Sequence, residues 1–259
     1  MPSNRRRNSI ESAVVLKSAR MGEIHRSVTL LIPERGVVYA TAHGAGKAAS
    51  KLKAAAIPFA CVTAYLYHDP VRDSFKVTDV EPLDLHGAIR ADLGKFFTAS
   101  LWVEIVLRSH GGGTEATALH ELLVTGLRTL DAAAATQVGA VSVQVLWRCL
   151  QLLGLAPDLE YCAGCGRGVT PEEELHLALN GEGRCRHCAT GYVAGSVPAG
   201  LRLDPAARRF LVTTSSLPLV RALRQPFPGG ERLRRVLQQM IQNGLEAPLN
   251  SLRCAAGIL

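Results

Sequence analysis

Four cysteines in two closely spaced pairs are the residues of this chain best suited to chemistry. The pairs are Cys162/Cys165 and Cys185/Cys188, with two residues inside each pair and 19 residues between them. This spacing is typical of zinc ribbons and knuckles, because one tight turn presents both sulfurs of a pair to the same ion. Four thiolates complete the tetrahedron of Zn²⁺ and leave no position for water. The sequence therefore predicts one structural zinc ion.

The segment around the cysteines favours a metal-stabilised fold but leaves a redox alternative open. Residues 166–184 hold too few apolar side chains for a core of their own, so a bound ion would supply the missing stabilisation. Gly164 and Gly166 flank the first turn and permit backbone amides to point at the sulfurs. A redox CxxC pair is the main competitor, although such a pair normally opens a helix in a thioredoxin-like unit. We expect His187 to be solvated or outside the ligand set.

The remaining motifs predict no catalytic site. Gly44-Ala45-Gly46-Lys47 resembles part of a phosphate-binding loop, but Thr41 and Ala48 stand where that motif needs Gly and Ser or Thr. No GxSxG, HExxH or GxGxxG pattern occurs in a supporting context, so the chain is predicted not to be an enzyme. Three further cysteines stand alone in apolar surroundings and are expected in the core: Cys61, Cys149 and Cys254.

Charge is distributed unevenly, with two basic ends and an acidic middle. The net charge is +7, divided as +5 in residues 1–83, −4 in residues 84–200 and +6 in residues 201–259. Basic surfaces attract phosphate polymers, anionic membranes or acidic protein tails, although an alkaline bias of the whole proteome gives a similar composition. No segment reaches the ~20 apolar residues of a membrane span. The run 13–16 is too short for a secretory signal, so we expect a cytoplasmic protein with reduced thiols.

Five β-prone segments occupy the first third of the chain. Turn signals such as Glu34-Arg35-Gly36 and His68-Asp69-Pro70 separate them. The predicted strands are 13–16, 27–32, 37–41, 59–67 and 75–80. Five short strands in sequence predict a small closed barrel, of which the OB-fold is the best-known case.

After residue 84 the apolar pattern becomes helical. A helix within residues 85–109 is predicted to stop at Gly111-Gly112-Gly113, and a second to begin at the N-cap Thr114 and run to Leu130. Residues 138–153 are apolar nearly all round, as in the central helix of a bundle. Later helices are expected after the N-cap Asp204 with Pro205 at the first helical position, and at 216–224 and 230–244.

These patterns predict an α+β chain of several domains. Residues 1–83 are expected to form an OB-fold β-barrel domain, and residues 84–259 a helical bundle domain. The four-cysteine zinc module, residues 158–197, is inserted within the helical domain. Aromatic residues make up only 5% of the chain, so its cores are expected to consist mostly of Leu, Val and Ala.

The order of these parts resembles the bacterial recombination mediator family RecO. Its sharpest match is the entry to the zinc module, P-x-L-x-x-C-x-x-C-G, here residues 157–166, preceded by LLGLAPDL. Three other stretches are similar to the family's first two strands, its third strand with a basic loop, and its C-terminal segment: Glu11–Ile32, Gly36–Lys53 and Gly244–Leu252. His43 stands where the family usually has Arg in that loop, which lowers the loop's charge.

The resemblance implies a role in recombinational DNA repair at the nucleoid. RecO-like proteins bind single- and double-stranded DNA and anneal complementary strands. With RecR they help load the strand-exchange protein RecA onto DNA coated by single-stranded-DNA-binding protein (SSB), whose acidic tail they also bind. The candidate DNA-binding residues belong to the first strands and the basic loop: Lys17, Arg20, Arg26, Lys47, Ser50, Lys51 and Lys53.

Aromatic side chains for base stacking are scarce, so we expect binding through the phosphate backbone without regard to base sequence. Tyr65 and Tyr67 are candidates for stacking, whereas Phe59 is expected in the core. A second basic group is expected to project from helices towards an acidic peptide or DNA: Arg202, Arg208, Arg209, Arg221, Arg224, Arg232, Arg234 and Arg235. Two other hypotheses stay open, a basic zinc-ribbon adaptor between proteins without annealing activity, and a redox or nucleotide-modifying enzyme.

Overall fold

The chain opens with a closed five-stranded barrel, as predicted. A computed structural model describes residues 7–177, 181–190, 202–228 and 230–255, and contacts divide the chain into two compact units that meet between Asp131 and Ala132. The strands are β1 (Asn8–Met21), β2 (His25–Ile32), β3 (Gly36–Ala42), β4 (Cys61–Asp69) and β5 (Ser74–Asp84). Around the barrel they run β1-β2-β3-β5-β4, and only β3 and β5 pair in parallel. The domain boundaries drawn from the sequence stay a prediction.

Strand β1 is longer than predicted because it serves two neighbours in turn. Residues 8–14 pair with β4 and residues 14–21 with β2, with a bulge between Val15 and Lys17. The apolar run 13–16 marks only the part of β1 that is buried on both faces. A bulge bends a strand and increases its twist, which allows β1 to pass from one neighbour to the other in so small a barrel.

Small aliphatic side chains fill the barrel. The inward-facing positions of β2 are Val28, Leu30 and Ile32. A 3-10 helix at Lys51–Ala56, between β3 and β4, packs against the strands and adds Ala54 and Ala55 to this core. Ser50 caps the helix, since its hydroxyl oxygen accepts a hydrogen bond from the Leu52 amide at 3.1 Å.

Three α-helices follow the barrel in the first unit: α1 (Gly87–Ala91), α2 (Leu93–Arg108) and α3 (Ala116–Ala132). The prediction that Thr114 caps a helix is wrong, because Thr114 lies inside a 3-10 helix at His110–Glu115 that runs directly into α3. This turn is held against the barrel. A Cβ atom at Gly111, whose φ is +77°, would lie 2.7 Å from the backbone nitrogen of Val37 on β3. The close approach to β3 sets where α3 begins.

The second unit is built around α4 (Val138–Leu152), which is buried on nearly all sides, as predicted. Its other elements are β6 (Leu175–Leu177), β7 (Gly183–Arg184), α5 (Arg186–Thr190), β8 (Arg202–Leu203), α6 (Pro205–Ser215), α7 (Leu219–Ala222), α8 (Glu231–Gly244) and α9 (Asn250–Cys254). The predicted N-cap of α6 is confirmed, since the Asp204 carboxylate accepts from the Ala207 amide at 2.8 Å. Among the described residues, no helix combines the length and apolar character that a membrane crossing requires.

Polar contacts inside the second unit fix α6 against α4. Gln144 donates to the Thr214 hydroxyl at 2.9 Å, and the Trp147 indole donates to the Ser215 hydroxyl at 2.9 Å. The Arg148 guanidinium donates to the carbonyls of Thr214, at 3.2 Å, and Leu217. Buried polar groups of this kind are stable only when paired, so these bonds specify one arrangement of the two helices.

Arg208 is buried beneath the cysteine module, and the prediction that it projects into solvent is wrong. Only 4% of this residue is exposed. Its guanidinium donates to the carbonyl oxygens of Leu159 at 2.8 Å and Val169 at 3.1 Å, and to that of Thr170. These carbonyls lie on both sides of the first cysteine pair. They replace water around the charge, and one side chain thereby ties the module to α6.

We predict that Arg208→Met lowers the free energy of unfolding of the second unit by about 3 kcal/mol, because it leaves buried carbonyls without donors. The matched control is Arg209→Met, which removes an exposed neighbour with one bond to the Pro171 carbonyl at 2.9 Å. Urea unfolding followed by circular dichroism measures both variants. Equal midpoints for the two variants would show that Arg208 does not hold the module.

Candidate metal centre and nucleic-acid surface

The sulfurs of the two cysteine pairs converge on one point. All four Sγ atoms lie within 4.8 Å of one another. A tetrahedral zinc with bonds of ~2.3 Å needs sulfurs ~3.8 Å apart, so a small contraction of this cluster encloses an ion. Cys162 and Cys185 are buried, whereas Cys165 is exposed. In the described ranges these cysteines are the only group of three or more candidate metal ligands, and the exposed His187 is not a member.

Glycines permit the backbone geometry of this cluster. Gly166 has a φ of +71°, and its amide donates to the Cys162 carbonyl at 2.8 Å, which closes the first turn. A Cβ atom at Gly164 would lie 3.0 Å from Cβ and 3.1 Å from Sγ of Cys188. Any larger residue at this position would therefore push the second pair away from the first. The turn is joined to β7 by the Ala163 amide, which donates to the Gly183 carbonyl at 2.9 Å.

Backbone amides favour the thiolate form of Cys162. The amides of Gly164 and Cys185 lie 3.4 and 3.3 Å from its Sγ. Burial raises the pKa of Cys162, but the amide donors outweigh burial and lower the pKa to about 6. The pKa of Cys185 is also lowered, first by the amide of Cys188. Thiolate is the form of cysteine that binds metal, so these amides suit Cys162 and Cys185 to a cation, whereas the neighbouring Cys165 and Cys185 raise the pKa of Cys188 to about 12.

Two of the three isolated cysteines are core residues, as predicted. Cys61 and Cys149 are buried, and burial raises the pKa of Cys61 to about 11 and that of Cys149 to about 12. Their thiols therefore stay protonated and pack as small apolar groups. The same prediction is wrong for Cys254, which is exposed on the short helix α9.

The fold brings three of the predicted DNA-binding cations together at one end of the barrel. Arg20 on β1 and Arg26 on β2 are direct partners in the strand register. The loop after β3 is held beside the turn that joins these strands, because the Gly46 amide donates to the Ile24 carbonyl at 2.9 Å. Lys47 is the next residue of this loop and is exposed. Positive charge from separate parts of the chain is thus concentrated on one rigid surface.

Two histidines help to position the same loop. The ring of His25 accepts a hydrogen bond at Nδ1 from the Gly44 amide at 3.1 Å. The His43 ring lies edge-on to it, with centroids 4.8 Å apart. His43 therefore packs against His25 at the start of the loop. The sequence did not reveal this contact, because the two residues belong to different strands and loops.

The other predicted DNA contacts lie elsewhere on the barrel. Lys17 is exposed, but alternation along β1 places it on the opposite face of the strand from Arg20. Lys51 and Lys53 are exposed on the 3-10 helix that Ser50 caps. Within the described ranges, none of the predicted DNA-binding lysines and arginines is paired with a carboxylate. Their charges are therefore open to a polyanion.

The aromatic residues of the barrel take several roles. Phe59 is buried, as expected, and its ring lies edge-on to that of Phe96 at 5.4 Å. The Tyr65 hydroxyl donates to Glu81 at 2.9 Å, and the Lys76 ammonium lies 5.9 Å from the ring centre of Tyr67. Tyr39, which was not among the predicted aromatic residues, is 70% exposed on β3 beside a cavity of about 360 Å³. The alternating pattern of β3 could have predicted this exposure, because Tyr39 lies between Val38 and Ala40, which are both buried.

The basic residues of the last helices are less available than predicted. Besides the buried Arg208, Arg235 is paired with Glu231 one turn earlier on α8, and Arg202 lies 3.5 Å from Glu174. Arg221, Arg224 and Arg232 are exposed. These positive charges are scattered over several short elements, unlike the compact group on the barrel.

Models of two protein families match most of this chain. The model described as Recombination protein O N terminal matches residues 7–86, which hold the barrel, and the model described as Recombination protein O C terminal matches residues 90–253. Three relatives named DNA repair protein RecO are each 31% identical, over 93% of this chain and 93% of theirs. They come from Anaeromyxobacter dehalogenans strains 2CP-C and 2CP-1 and from Anaeromyxobacter sp. strain K. The chain therefore belongs to the RecO family of DNA repair and recombination proteins.

Proposed function

We propose that this protein is a non-enzymatic recombination mediator that binds single- and double-stranded DNA and anneals complementary strands. Together with RecR it would help to load RecA onto SSB-coated single strands. The observation that carries the proposal is the group of unpaired cations on the barrel end, Arg20, Arg26 and Lys47, in a chain of the RecO family. Contacts with RecR and the acidic SSB tail are part of the proposal through the family.

The chemistry of annealing requires positive charge and no bond-breaking group. Two complementary strands repel each other through their phosphates, and cations that displace condensed counterions reduce this repulsion. A surface that reads phosphates alone holds either strand without regard to sequence, which leaves the base edges free to pair. The exposed lysines and arginines of the barrel offer such a surface, whereas Phe59 is buried and cannot stack on bases.

We predict that Lys47→Gln combined with Lys51→Gln makes the salt dependence of binding to a single strand shallower. The negative slope of log Kobs against log salt is expected to shrink by about 1.4, because each lost phosphate contact changes it by about 0.7. Fluorescence anisotropy with an oligo-dT probe at several salt concentrations measures the slope. The matched control is Arg72→Gln, an exposed cation in the turn between β4 and β5, beside the start of β1. If the slope changed as much in the control as in the lysine double variant, the DNA would not be bound mainly by these two lysines.

A strand-annealing assay tests the proposed activity itself. The protein is expected to accelerate pairing of complementary oligonucleotides coated with SSB, and the lysine double variant is expected to be slower at the same protein concentration. A protein that binds strands but leaves the annealing rate at its spontaneous value would contradict the mediator function. It would favour an adaptor role between proteins instead.

We also propose that the cysteine cluster holds one structural zinc ion. The four residues fit zinc in donor type, number and spacing, and the backbone amides that donate to the Cys162 sulfur favour its thiolate form. Bound zinc would supply the folding free energy that this segment, poor in apolar side chains, does not provide. The redox alternative would require pairs of thiols with an open position, which a four-ligand site does not leave.

We predict that Gly164→Ala lowers zinc content and the melting temperature of the second unit, because the added methyl group meets Cys188 at 3.0 Å. Gly168→Ala is the matched control, since a methyl group there has no atom within 4 Å. Zinc per protein is measured by mass spectrometry after dialysis against a weak chelator. Cys162→Ser with Cys165→Ser is expected to lose the ion entirely. A folded double variant with the stability of the wild type would contradict a structural role.

A further inference from the structure

Two arginines face each other directly at the end of the barrel. Arg20 of β1 and Arg26 of β2 are register partners, one step from the turn at Met21 and His25. Opposed side chains in an antiparallel pair have Cβ atoms about 5 Å apart and lie on the same face, and like charges in this position destabilise the pair. The next pair inwards on this face is Ser18 and Val28, so the arginines lie at the rim of the barrel.

No carboxylate offsets this repulsion. In the described part of the chain, neither arginine takes part in an ion pair. Arg26 has Ala42 as its partner on the other side, in β3, so the neighbouring strand brings no charge. The turn between the two strands carries Glu23, which is exposed and forms no ion pair with either arginine, and the Gly46–Ile24 bond holds the loop with Lys47 against the same turn.

The pairing of the strands keeps Arg20 and Arg26 at opposed backbone positions. β2 is hydrogen-bonded to β1 on one side and to β3 on the other, so its register cannot shift. The loop beyond β3 is fixed as well, because a Cβ atom at Gly46 would lie 3.1 Å from the Ile24 carbonyl oxygen. The free protein therefore holds two arginines at opposed strand positions without an ion-pair partner, and a phosphate group between their side chains would relieve the repulsion.

We propose that Arg20 and Arg26 form a clamp for one phosphate group of the DNA backbone, and that the free protein carries the clamp at a cost to the stability of its β1–β2 hairpin. The clamp rests on the proposed DNA-binding function and gives it a specific position. Lys47, on the adjoining loop, contacts the next phosphate along the strand. Lys51 and Lys53 of the 3-10 helix contact further phosphates, whereas Lys17, on the other face of β1, contributes long-range attraction.

A double-mutant cycle measures the cost without any DNA. Arg20→Glu and Arg26→Glu each replace repulsion by attraction, so amide hydrogen exchange in residues 18–28 is expected to slow about threefold in low salt. The double variant restores a like-charged pair, and its exchange is expected to return to the wild-type rate. Lys17→Glu is the control, because it makes the same change in net charge but faces Thr29. In 1 M salt, where the Debye length is about 3 Å, the differences are expected to disappear.

Binding is tested with neutral variants and an oligo-dT probe. Arg20 and Arg26 share one phosphate, so the variant with both Arg20→Thr and Arg26→Thr is expected to reduce the size of the salt slope by about 0.7 in total, and each single variant by less than that. Lys17→Thr is expected to leave the slope unchanged while it weakens binding slightly at low salt. Added oligo-dT is expected to slow exchange in residues 18–28 of the wild type but not of the double variant.

The outcomes separate the clamp from the wider function. If the double threonine variant bound the probe as tightly as the wild type and with the same salt slope, the clamp would be refuted. The proposed DNA binding would still stand. The clamp would also be refuted if amide hydrogen exchange in residues 18–28 were as fast in Arg20→Glu and Arg26→Glu as in the control Lys17→Glu. A wild-type protein that does not bind the probe even in dilute buffer would overturn the proposed function, and the clamp with it.

Discussion

The first unit depends on closure of its barrel through the parallel pairing of β3 with β5. The pairing covers only Ala40–Ala42 and Phe75–Val77, yet it completes the ring and keeps β2 between two neighbours. A strand bonded on both edges cannot slip by one residue without turning its inner aliphatic side chains outward. The apolar core therefore sets the register that places Arg20 opposite Arg26. The stability of the whole barrel therefore offsets the repulsion between these two arginines.

The basic surface that we propose for DNA differs in construction from a catalytic site. It is assembled from the rim of two strands and a loop, joined by the bond between Gly46 and Ile24. A phosphate backbone needs cations on a rigid support at suitable intervals, whereas catalysis needs a few groups in exact mutual geometry. The barrel supplies rigidity, and the exposed ends of its strands supply the charge.

The second unit stabilises its cysteine module by polar contacts that add to a small group of buried apolar side chains, Leu159, Val169, Leu175 and Leu177. Four sulfurs converge at the centre of the module, where we propose a zinc ion, and Arg208 attaches the module to α6 through backbone carbonyls on both sides of the first cysteine pair. Charge-assisted hydrogen bonds have fixed directions, as metal–thiolate bonds would, so they define the orientation of a small segment better than loose apolar packing does. The module thereby gains a defined position although few of its residues are apolar.

The sequence by itself determined the features that neighbouring residues specify. The cysteine spacing, the five strands and the Asp204–Pro205 helix start all follow from turns, alternation and capping within a few residues. The tertiary structure alone decided the features that depend on distant partners. Arg208 is buried because carbonyls far away in the chain surround it, and Cys254 is exposed although most of its neighbours in the sequence are apolar. Arg20 and Arg26 oppose each other, with Lys17 on the other face, because a bulge and a pairing register assign each side chain to its face, and register is a property of two strands together.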